Sequence, residues 1–458
     1  MDAQQSREEA WQSLISAHLP VTAAESIWCY SGPAPTTLPR QGWKLHVSAT
    51  IDSAYDVLAV AAEVLTAGGV LFKAVKSLGE LARLNCGLFY GYPQVGKFLT
   101  AYPPDPGTAA RTARRLAEAT RGMAGPRVPF EHQVAPDAPV YARYGSFRSD
   151  AEGDDASTVT GPDGAAEPDR RDQNPSWAEP PDDLFQPLAQ RGRGLLATTY
   201  RAYAPLMQRG KGGVYRAVDL GSMPPRHCVL KEGRRHGEVD ATGQDARDRA
   251  VREGQVLRQL RAAGVAVPEV YAQFEEGGNW YLVLERIDGT PLSRRVTAGA
   301  SPLSIAEAMS MCAQAARIVA DVHRCRWVWR DIKASNFMLL ADGTLRPVDF
   351  ETAARIGVAL ASPWGSVGHL PPETMAVGRA SVGQDAFALG ALMHQIFTQE
   401  LPGLKDRAPL RTHRPDAPAH IESLIRRLLS PNPSARPAAA FVARTLATKA
   451  DAVGARQG

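Results

Sequence analysis

The sequence of 458 residues lacks the features that would place it outside the cell or in a membrane. Its five cysteines are scattered, with no C-x-x-C pair and no metal-ligand spacing, which predicts reduced intracellular thiols. The first ten residues contain no basic start leading into an apolar core, so no secretory signal is visible. No apolar run approaches the roughly 20 residues of a membrane span. We therefore expect a cytoplasmic protein.

Strong net charge is absent as well. The formal net charge of +4 is small for this length and gives no case for nucleic-acid or membrane binding as the main role. No internal repeat is visible. The length is too great for one compact core and predicts two domains.

What the sequence does contain is a phosphotransferase pattern. The stretch W-R-D-I-K-A-S-N at 329–336 is followed, a short hairpin later, by D-F-E at 349–351. In-line phosphoryl transfer requires a carboxylate that orients the attacking hydroxyl, a cation near the γ-phosphate, and oxygen ligands that hold Mg²⁺ against the phosphates. The residues spaced for these roles are Asp331, Lys333, Asn336 and Asp349. The pattern predicts ATP or GTP, with Mg²⁺, as cofactors.

Upstream stretches fit the same chemistry. Residues 227–231 have the pattern of a strand that carries Lys231, and Glu253 lies in a helical pattern that follows. Such a Lys–Glu pair positions the α- and β-phosphates in protein kinases. The apolar run at 280–289 is typical of the strand that leads into the kinase hinge. There, adenine would bond the backbone of Glu285 and Ile287.

Three later stretches resemble, in order, the A-P-E, D-x-W-x-x-G and late-arginine elements of the kinase C-terminal lobe; they lie at 370–373, 384–390 and 430–437. In that family Glu373 and Arg436 would form an ion pair, and Asp385 would brace the catalytic loop. The order of these elements predicts a bilobal protein-kinase-like domain over residues 196–458.

The sequence departs from the kinase pattern at three places. Trp329 stands where the family usually has His and Glu351 where it has Gly, but neither change removes a reacting group. In the nucleotide loop only Gly212 matches a G-x-G-x-x-G glycine. Gly210, Gly212 and Gly213 would still make a flexible loop whose amides reach phosphate, although such a cluster alone is typical of an ordinary turn.

An acidic segment separates this domain from the first. Residues 149–183 contain eleven acidic and two basic side chains, and 2 − 11 gives a net charge of −9. Such a segment cannot bury enough apolar surface to become ordered, so we predict a flexible linker over residues 149–195. It is either a solvated tether or an arm that keeps a mobile substrate off the gap between the domains. Trp177 and the pair Leu184–Phe185 would dock its end on the second domain.

Residues 1–148 carry a second group of chemical side chains. In 42–49, apolar and polar residues alternate, so the strand period places Lys44 and His46 on one face, about 7 Å apart at the backbone. A helical stripe ends at Gly68-Gly69, and a second strand at 70–75 carries Lys73. Basic residues without paired carboxylates or a metal cluster are typical of an anion site with a candidate acid and base. The alternative is a set of surface lysines around one core histidine.

Residues 41–147 resemble the N-terminal lyase domain of the class III lanthipeptide synthetases, itself similar to the phosphothreonine lyases of bacterial effectors. The matching stretches are Gly42–His46, Phe72-Lys73, Gly96–Phe98, Gly125–Arg127 and Arg143–Gly145. The resemblance implies an α+β fold for residues 1–148, beside the α+β kinase-like domain.

By this resemblance Lys73 would take the Cα proton of a phosphorylated Ser or Thr, and His46 would protonate the leaving phosphate. Lysine acts as a base only if its pKa is lowered toward neutrality, and neighbouring cations would lower it. Lys76 is the rival for this role. The residues that would hold the phosphate dianion are Lys44, Arg127 and Arg143, with Tyr92, Lys97 and Tyr102 as further contacts.

Together, a kinase and a lyase would make a dehydratase, which converts Ser to dehydroalanine and Thr to dehydrobutyrine in a ribosomally made precursor peptide. Tethering the two sites raises the effective concentration of the phosphorylated intermediate. The family resembled here continues into a cyclase domain, whereas this sequence ends at Gly458. We therefore expect ring closure by a separate cyclase protein, ring closure without a catalyst, or no rings.

The sequence leaves two other functions open. The first is a Ser/Thr protein kinase whose N-terminal domain binds phosphopeptides. Lys44, His46 and Lys73 argue against it, because binding alone needs no acid and base. The second is a non-catalytic scaffold with a dead kinase. The retained kinase residues argue against that function; they are Lys231, Glu253, Asp331, Asn336 and Asp349.

Overall fold

The computed structural model describes residues 2–22, 26–147, 157–181, 194–240, 242–360, 366, 368–375, 378–403 and 409–454. The chain divides into two compact units. The first comprises Met1–Gly221, Lys231–Arg247 and Glu275–Trp280, and the second Ser222–Leu230, Asp248–Phe274 and Tyr281–Gly458.

The first unit begins with an α+β arrangement. Its elements are α1 (Asp2–His18), β1 (Val21–Thr22), β2 (Trp28–Tyr30), β3 (Gln41–Val47), α2 (Ala54–Ala67), β4 (Leu71–Val75), α3 (Leu78–Cys86), β5 (Leu99–Tyr102), α4 (Pro106–Ala119), β6 (His132–Gln133), β7 (Val140–Ser146), β8 (Thr158–Thr160) and β9 (Ala166–Pro168). Strands β1 to β7 form one sheet of order β1-β2-β4-β5-β3-β7-β6, in which every neighbouring pair is antiparallel. Helices α2 and α4 pack against each other, α4 contacts β3 and β7, and α2 contacts β4.

The alternation predicted for β3 is confirmed. Leu45 and Val47 are fully buried and join the core with Leu58 of α2 and Phe72 of β4. Because successive side chains of a strand point to opposite faces, the intervening polar residues are turned away from this core. Helix α2 ends at Gly68, as the sequence predicted.

The predicted flexible linker is wrong for residues 157–181, which we call the acidic arm. In it, β8 and β9 pair as an antiparallel hairpin, with Val159 fully buried. Trp177 packs edge-on against Tyr144 of β7, at 5.1 Å between ring centroids, so it docks on the first domain and not on the second. Composition does not predict this order, because the arm is held by hydrogen bonds and ion pairs to residues of the sheet that are distant in the sequence. Leu184 and Phe185 lie outside the described residues.

The kinase-like part has its own strands and helices. These are β10 (Tyr200–Arg209), β11 (Gly212–Asp219), β12 (Arg226–Gly233), α5 (Ala246–Ala262), β13 (Val270–Glu276), β14 (Asn279–Glu285), β15 (Thr290–Pro291), α6 (Ile305–Arg324), β16 (Trp327–Val328), β17 (Phe337–Leu339), β18 (Leu345–Pro347), β19 (Ala354–Arg355), α7 (Val382–Thr398), α8 (Leu410–His413), α9 (Ala419–Leu428) and α10 (Ala439–Gly454). A five-stranded sheet has the order β10-β11-β12-β14-β13, and α6 packs against α7 and α10. The predicted α+β class is confirmed.

Local sequence sets the start of helix α6. Ser304 accepts a hydrogen bond from the Glu307 amide, and Glu307 accepts one from the Ser304 amide, which is a capping box. Its inward residues Cys312, Ala315 and Val319 are fully buried in the core of the second unit.

Across the described residues, no helix combines the length and apolarity needed to cross a membrane.

Two candidate active sites

The register of the first sheet brings four of the predicted basic residues to one face. Thr100 of β5 lies directly opposite both His46 of β3 and Lys73 of β4, so these three residues form a row across three strands. Lys44, two residues before His46, lies directly opposite Arg143 of β7. Opposed residues of an antiparallel pair share a face, as do residues two apart along a strand. All four therefore face away from the core.

This face lines a cavity of about 640 Å³. Among its lining residues are Lys44, His46, Lys73, Lys97, Tyr102, Arg143 and Asp169. The Lys73 ammonium lies over three aromatic rings, at 4.4 Å from the centroid of Trp28, 5.8 Å from Tyr30 and 6.0 Å from Tyr102. Burial raises the pKa of both tyrosines, so their hydroxyls are neutral at pH 7. The cavity thus combines several cations with neutral aromatic walls.

Glu131, which sequence reasoning missed, supplies the counter-charge beneath this cavity. Its side chain is fully buried, and one carboxylate oxygen lies 2.7 Å from His46 Nδ1. The other oxygen lies 2.9 Å from Lys97 Nζ. The two groups form an ion pair, but their relative orientation does not make a hydrogen bond. The sequence pattern predicts a basic site without paired carboxylates, and Glu131 is a single carboxylate within it. A lone Glu in the stretch P-F-E-H gives no signal of this role, because only folding brings it under His46.

Burial and charge shift the pKa values of this group. Burial lowers the pKa of His46 to about 4, although the Glu131 carboxylate opposes the shift. Burial also lowers the pKa of Lys44 to about 7, with Asp169 opposing it and neighbouring cations adding to it. Although burial alone would raise the pKa of Glu131, the adjacent His46 and Lys97 lower it to about 2. Glu131 is therefore ionised and His46 neutral at pH 7.

A glycine positions Lys97. Gly96 has φ of 77°, and a Cβ there would come within 2.9 Å of both the Pro126 carbonyl and the Ser48 hydroxyl. The same close packing explains the Gly125–Arg127 motif, because Ser48 Oγ donates to the Pro126 carbonyl at 2.6 Å. Gly96 and the motif therefore fix the loop that carries Lys97, whose side chain is 5% exposed.

The structure does not bring every predicted residue to this cavity. Arg127 is exposed and does not line it, because its motif packs on the end of β3 and leaves Arg127 on the solvent side. Tyr92 does not line it either, and packs edge-on against Phe130 at 5.7 Å. Lys76 lines a different cavity, with its ammonium 2.9 Å from the Ser26 carbonyl, which distinguishes it from Lys73.

The acidic arm reaches into the cavity. Asp169, 6% exposed at its side chain, forms an ion pair with Arg143 and accepts a hydrogen bond from the Ser146 amide at 2.9 Å. The oxygen that accepts from Ser146 also lies 4.0 Å from Lys44 Nζ, and the other oxygen faces Arg143. Asp169 was not among the predicted site residues, because the sequence placed it in a linker.

The catalytic loop of the kinase-like part groups the residues predicted for phosphoryl transfer. Lys333 Nζ lies 2.7 Å from one oxygen of Asp331, and Asn336 Nδ2 donates to the Asp331 backbone at 2.8 Å and to its carboxylate at 3.0 Å. Ser366, not predicted, donates to Asp331 at 2.9 Å and accepts from Lys333 at the same distance. Asp331 is thus held in place through both its carboxylate oxygens.

Asp385 braces this loop, as predicted. It is fully buried and accepts hydrogen bonds from the amides of Trp329 at 2.7 Å and Arg330 at 2.8 Å, while His323 lies 2.9 Å away. Arg330 has φ of 69°, and the two accepted bonds hold that unusual backbone. The predicted ion pair between Glu373 and Arg436 is also present.

The two unusual residues of the kinase pattern have identifiable contacts. Trp329, in the place of His, donates from its indole to the Asp349 carbonyl at 2.7 Å and stacks on Phe350 at 4.6 Å. Glu351, in the place of Gly, lies 3.2 Å from Arg249 of α5, and both side chains are buried. These contacts tie the segment 349–351 to its surroundings.

Asn336 and Asp349 fit a Mg²⁺ ion by their donor set. The Val348 amide donates to the Asn336 carbonyl at 2.8 Å, so the β17–β18 hairpin places Asn336 beside the Asp349 segment. The amide nitrogen of Asn336 is engaged by Asp331, and its side-chain oxygen accepts only a long hydrogen bond, of 3.5 Å, from the Ser335 hydroxyl. Oxygen ligands of this kind are those Mg²⁺ prefers. Glu253 is 1% exposed and accepts the Phe350 amide at 2.9 Å, which fixes the same segment from α5.

The nucleotide loop differs from the predicted flexible cradle. Gly210 and Lys211 form a tight turn between β10 and β11, where Arg209 pairs with Gly212, and the Gly210 amide donates to the Cys86 carbonyl at 3.0 Å. Gly213 lies on β11. The Gly210 amide is therefore already engaged by a backbone carbonyl. The cause is this contact with Cys86, which is distant in the sequence and which a count of glycines does not reveal.

The remaining nucleotide residues lie where the pattern placed them. Lys231 is half-buried on β12, between the adjoining strands β11 and β14 of the sheet. Glu285 ends β14, and its carboxylate pairs with Arg346 at 3.1 Å. The Ile287 carbonyl accepts the Gly289 amide at 3.0 Å. The adenine contacts of Glu285 and Ile287 stay predictions.

Comparisons with known proteins match the chain to two families. The family described as RamC, N-terminal domain, matches residues 15–194, and the protein kinase domain family matches residues 210–446. A probable SapB synthase of Streptomyces coelicolor is 34% identical over 390 residues, which cover 81% of this chain and 41% of that protein. Serine/threonine-protein kinase F of Synechocystis is 30% identical, over 54% of each chain.

Serine/threonine-protein kinase PknA of Mycobacterium tuberculosis is 27% identical, over 53% of this chain and 58% of its own. The chain therefore spans about half the length of these relatives.

Removing the charge of Glu131 should destabilise the first unit. In Glu131→Gln the buried Lys97 ammonium loses its counter-charge, which costs about 3–5 kcal/mol in the free energy of unfolding. Urea denaturation followed by tryptophan fluorescence measures this loss. Glu118→Gln, an exposed change on α4, is the control and should stay within about 0.5 kcal/mol of the parent protein. Adding Lys97→Met to Glu131→Gln should recover stability; a further additive loss would contradict the buried pair.

Acid should destabilise the first unit through His46. The unfolded chain binds a proton at His46 near the ordinary pKa of 6.5, whereas the folded chain binds it only near pH 4. As pH falls between these values, His46 removes up to about 1.4 kcal/mol of stability per pH unit. His46→Gln lacks this contribution, so its free energy of unfolding should fall less steeply from pH 6.5 to 4. Parallel curves for the two proteins would show that His46 is not buried in its neutral form.

Proposed function

Because the chain belongs to the protein kinase family and carries an N-terminal domain of the RamC type, we propose that it is a bifunctional peptide dehydratase. It phosphorylates Ser or Thr of a ribosomally made precursor peptide with a nucleoside triphosphate. It then eliminates the phosphate to give dehydroalanine or dehydrobutyrine. The similarity to a probable SapB synthase supports a biosynthetic peptide as substrate.

The observation that carries the lyase half is the cavity of the first unit, in which Lys44, His46, Lys73 and Arg143 converge. A domain that only bound phosphopeptides would need cations for the phosphate. It would not need an imidazole held by a buried carboxylate, nor a second lysine set apart over aromatic rings. This arrangement favours elimination over simple binding.

The elimination uses two proton transfers. Lys73, as a neutral amine, takes the Cα proton of the phosphorylated residue, and the electron pair of the C–H bond forms the C=C bond. The Cβ–O bond breaks, and the phosphate leaves with a proton donated by His46. The products are the dehydro residue and inorganic phosphate, so atoms and charge balance. Lys44 and Arg143 stabilise the charge that develops on the phosphate.

Burial lowers the pKa of Lys44 to about 7, but Lys44 fits phosphate binding better than base catalysis. It lies opposite Arg143 in the register of the sheet, at the place where an anion is already held. A phosphate dianion bound there favours the charged form of Lys44 and raises its pKa again. Lys73, on the neighbouring row, is left as the base.

Glu131 positions His46 for its role. Its carboxylate, 2.7 Å from Nδ1, holds the tautomer in which that nitrogen donates, so Nε2 faces the cavity. A bound phosphate dianion adds negative charge beside the imidazole and raises its pKa from about 4. Substrate binding thus favours the protonated form that the acid needs.

The kinase half relies on the Asp331 loop. Asp331 accepts and orients the substrate hydroxyl, and Lys333, 2.7 Å away, lies where the γ-phosphate is transferred. Mg²⁺ held by Asn336 and Asp349 supplies charge neutralisation on the phosphates. A separate cyclase protein, the choice between ATP and GTP, and a cytoplasmic location stay predictions.

Lys73→Ala should stop the reaction at the phosphopeptide. The protein is incubated with ATP, Mg²⁺ and a precursor peptide, and the peptide mass is followed. The parent protein should give net loss of water, whereas Lys73→Ala should accumulate added phosphate, with elimination slowed by roughly 10²–10⁴-fold. Lys76→Ala is the matched control, since Lys76 lines a different cavity. Elimination that survives in Lys73→Ala and is lost in Lys76→Ala would reverse the base assignment.

Asp331→Asn should block phosphorylation and spare elimination. Without the carboxylate that orients the hydroxyl, phosphate transfer should slow by roughly 10²–10⁴-fold. The same variant should still release phosphate from a synthetic phosphoserine peptide at the parent rate. Asp321→Asn, at a carboxylate of α6 paired with Arg324, serves as control. If the parent protein only adds phosphate and never eliminates it, the alternative of a plain Ser/Thr kinase holds.

A further inference from the structure

Asp169 of the acidic arm occupies the anion site of the lyase cavity. Its carboxylate accepts hydrogen bonds from two donors, the Arg143 guanidinium and the Ser146 amide at 2.9 Å, and lies 4.0 Å from the Lys44 ammonium. Arg143 and Lys44 are the residues that hold phosphate in the proposed elimination. A carboxylate and a phosphate present the same kind of oxygen acceptor to guanidinium and amide groups. Asp169 therefore stands where the phosphate of a substrate would bind.

Further contacts hold the rest of the arm along β7 and β3. Arg143 donates to the Arg170 carbonyl at 2.9 Å, and the Asn174 side chain accepts the Tyr144 amide at 2.9 Å. Gln41 exchanges two hydrogen bonds of 2.7 Å with the Thr160 backbone. Trp177 packs on Tyr144. The arm is therefore bound to the sheet as a peptide ligand would be, through its backbone groups and the carboxylate of Asp169.

We propose that the acidic arm is a built-in pseudosubstrate: Asp169 fills the phosphate subsite, and the arm leaves when a phosphopeptide enters. This inference rests on the proposed lyase function. The match to the RamC N-terminal domain runs through residue 194 and includes the arm, so the arm belongs to the same domain as the site that it covers.

The difference in charge favours replacement of Asp169 by the phosphate of a phosphopeptide. A phosphate monoester carries close to two negative charges at pH 7 and three acceptor oxygens, whereas Asp169 carries one charge and two oxygens. The phosphopeptide therefore gains more from Lys44 and Arg143 than Asp169 does. An unphosphorylated peptide has no such advantage, so the arm keeps it out of the cavity. The arm thereby selects for peptide that has already been phosphorylated.

The test compares inorganic phosphate binding to the full chain and to Asp169→Asn by isothermal titration calorimetry. If the arm is docked in about nine-tenths of the molecules, its release should lower the dissociation constant for phosphate roughly tenfold. Asn keeps an acceptor for the Ser146 amide, so the change removes charge with little loss of shape. Glu179→Gln, an exposed acid of the same arm, is the matched control and should leave the affinity unchanged.

Trp177→Ala gives a second, independent variant. It loosens the arm through its contact with Tyr144 and leaves the cavity intact, so phosphate affinity should rise as in Asp169→Asn. Hydrogen–deuterium exchange of the parent protein should accelerate across residues 157–181 when phosphate is added. Slower exchange there would mean that the arm closes over the anion, which overturns the proposal.

The outcomes separate this inference from the proposed function. Weaker phosphate binding by Asp169→Asn would show that Asp169 positions Lys44 and Arg143, and unchanged binding would show that the arm does not compete; both overturn the pseudosubstrate. Phosphate release from a synthetic phosphoserine peptide tests the lyase separately. If Asp169→Asn binds phosphate more tightly but the protein eliminates no phosphate from the peptide, the arm still blocks an anion-binding site. That result would refute only the dehydratase function.

Discussion

The structure of the first domain depends on the electrostatic balance of one crowded cavity. Lys44 and Arg143 are direct neighbours across two strands, and Lys73 and Lys97 line the same space. Like charges this close are unfavourable unless anions lie among them. Glu131 supplies one anion beneath His46 and Lys97, and Asp169 supplies another beside Arg143. A phosphate can replace Asp169 because the site is built to hold a negative charge there.

In the kinase-like part, hydrogen bonds hold the catalytic loop in place. Asp385 holds the backbone of the catalytic loop through two amides, and this fixes Asp331 relative to Lys333 and Asn336. Trp329 replaces the usual His and still bonds the Asp349 carbonyl. Trp in place of His keeps a hydrogen-bond donor on a rigid ring at this position, because the indole N–H donates to the Asp349 carbonyl.

Sequence patterns with a local physical cause predicted the structure well. The alternation of β3, the end of α2 at Gly68 and the spacing of the Asp331 loop each follow from the geometry of a few consecutive residues. Predictions that depended on composition or on a motif alone did worse. The acidic arm was expected to be a linker, Arg127 a phosphate ligand and the glycine turn a flexible cradle. In each case long-range contacts decide the outcome.

The sequence by itself determined which side chains are available: a phosphotransfer loop, an imidazole and a set of cations, in a chain of two domains. The tertiary structure decided which of these meet. Sheet register sets Thr100 opposite both His46 and Lys73, and folding brings Glu131 under His46 across 85 residues. It also carries Asp169 into the cavity, from a segment whose composition alone predicts disorder. Contacts between residues far apart in the chain leave no local pattern, because their energy arises only when the strands pair.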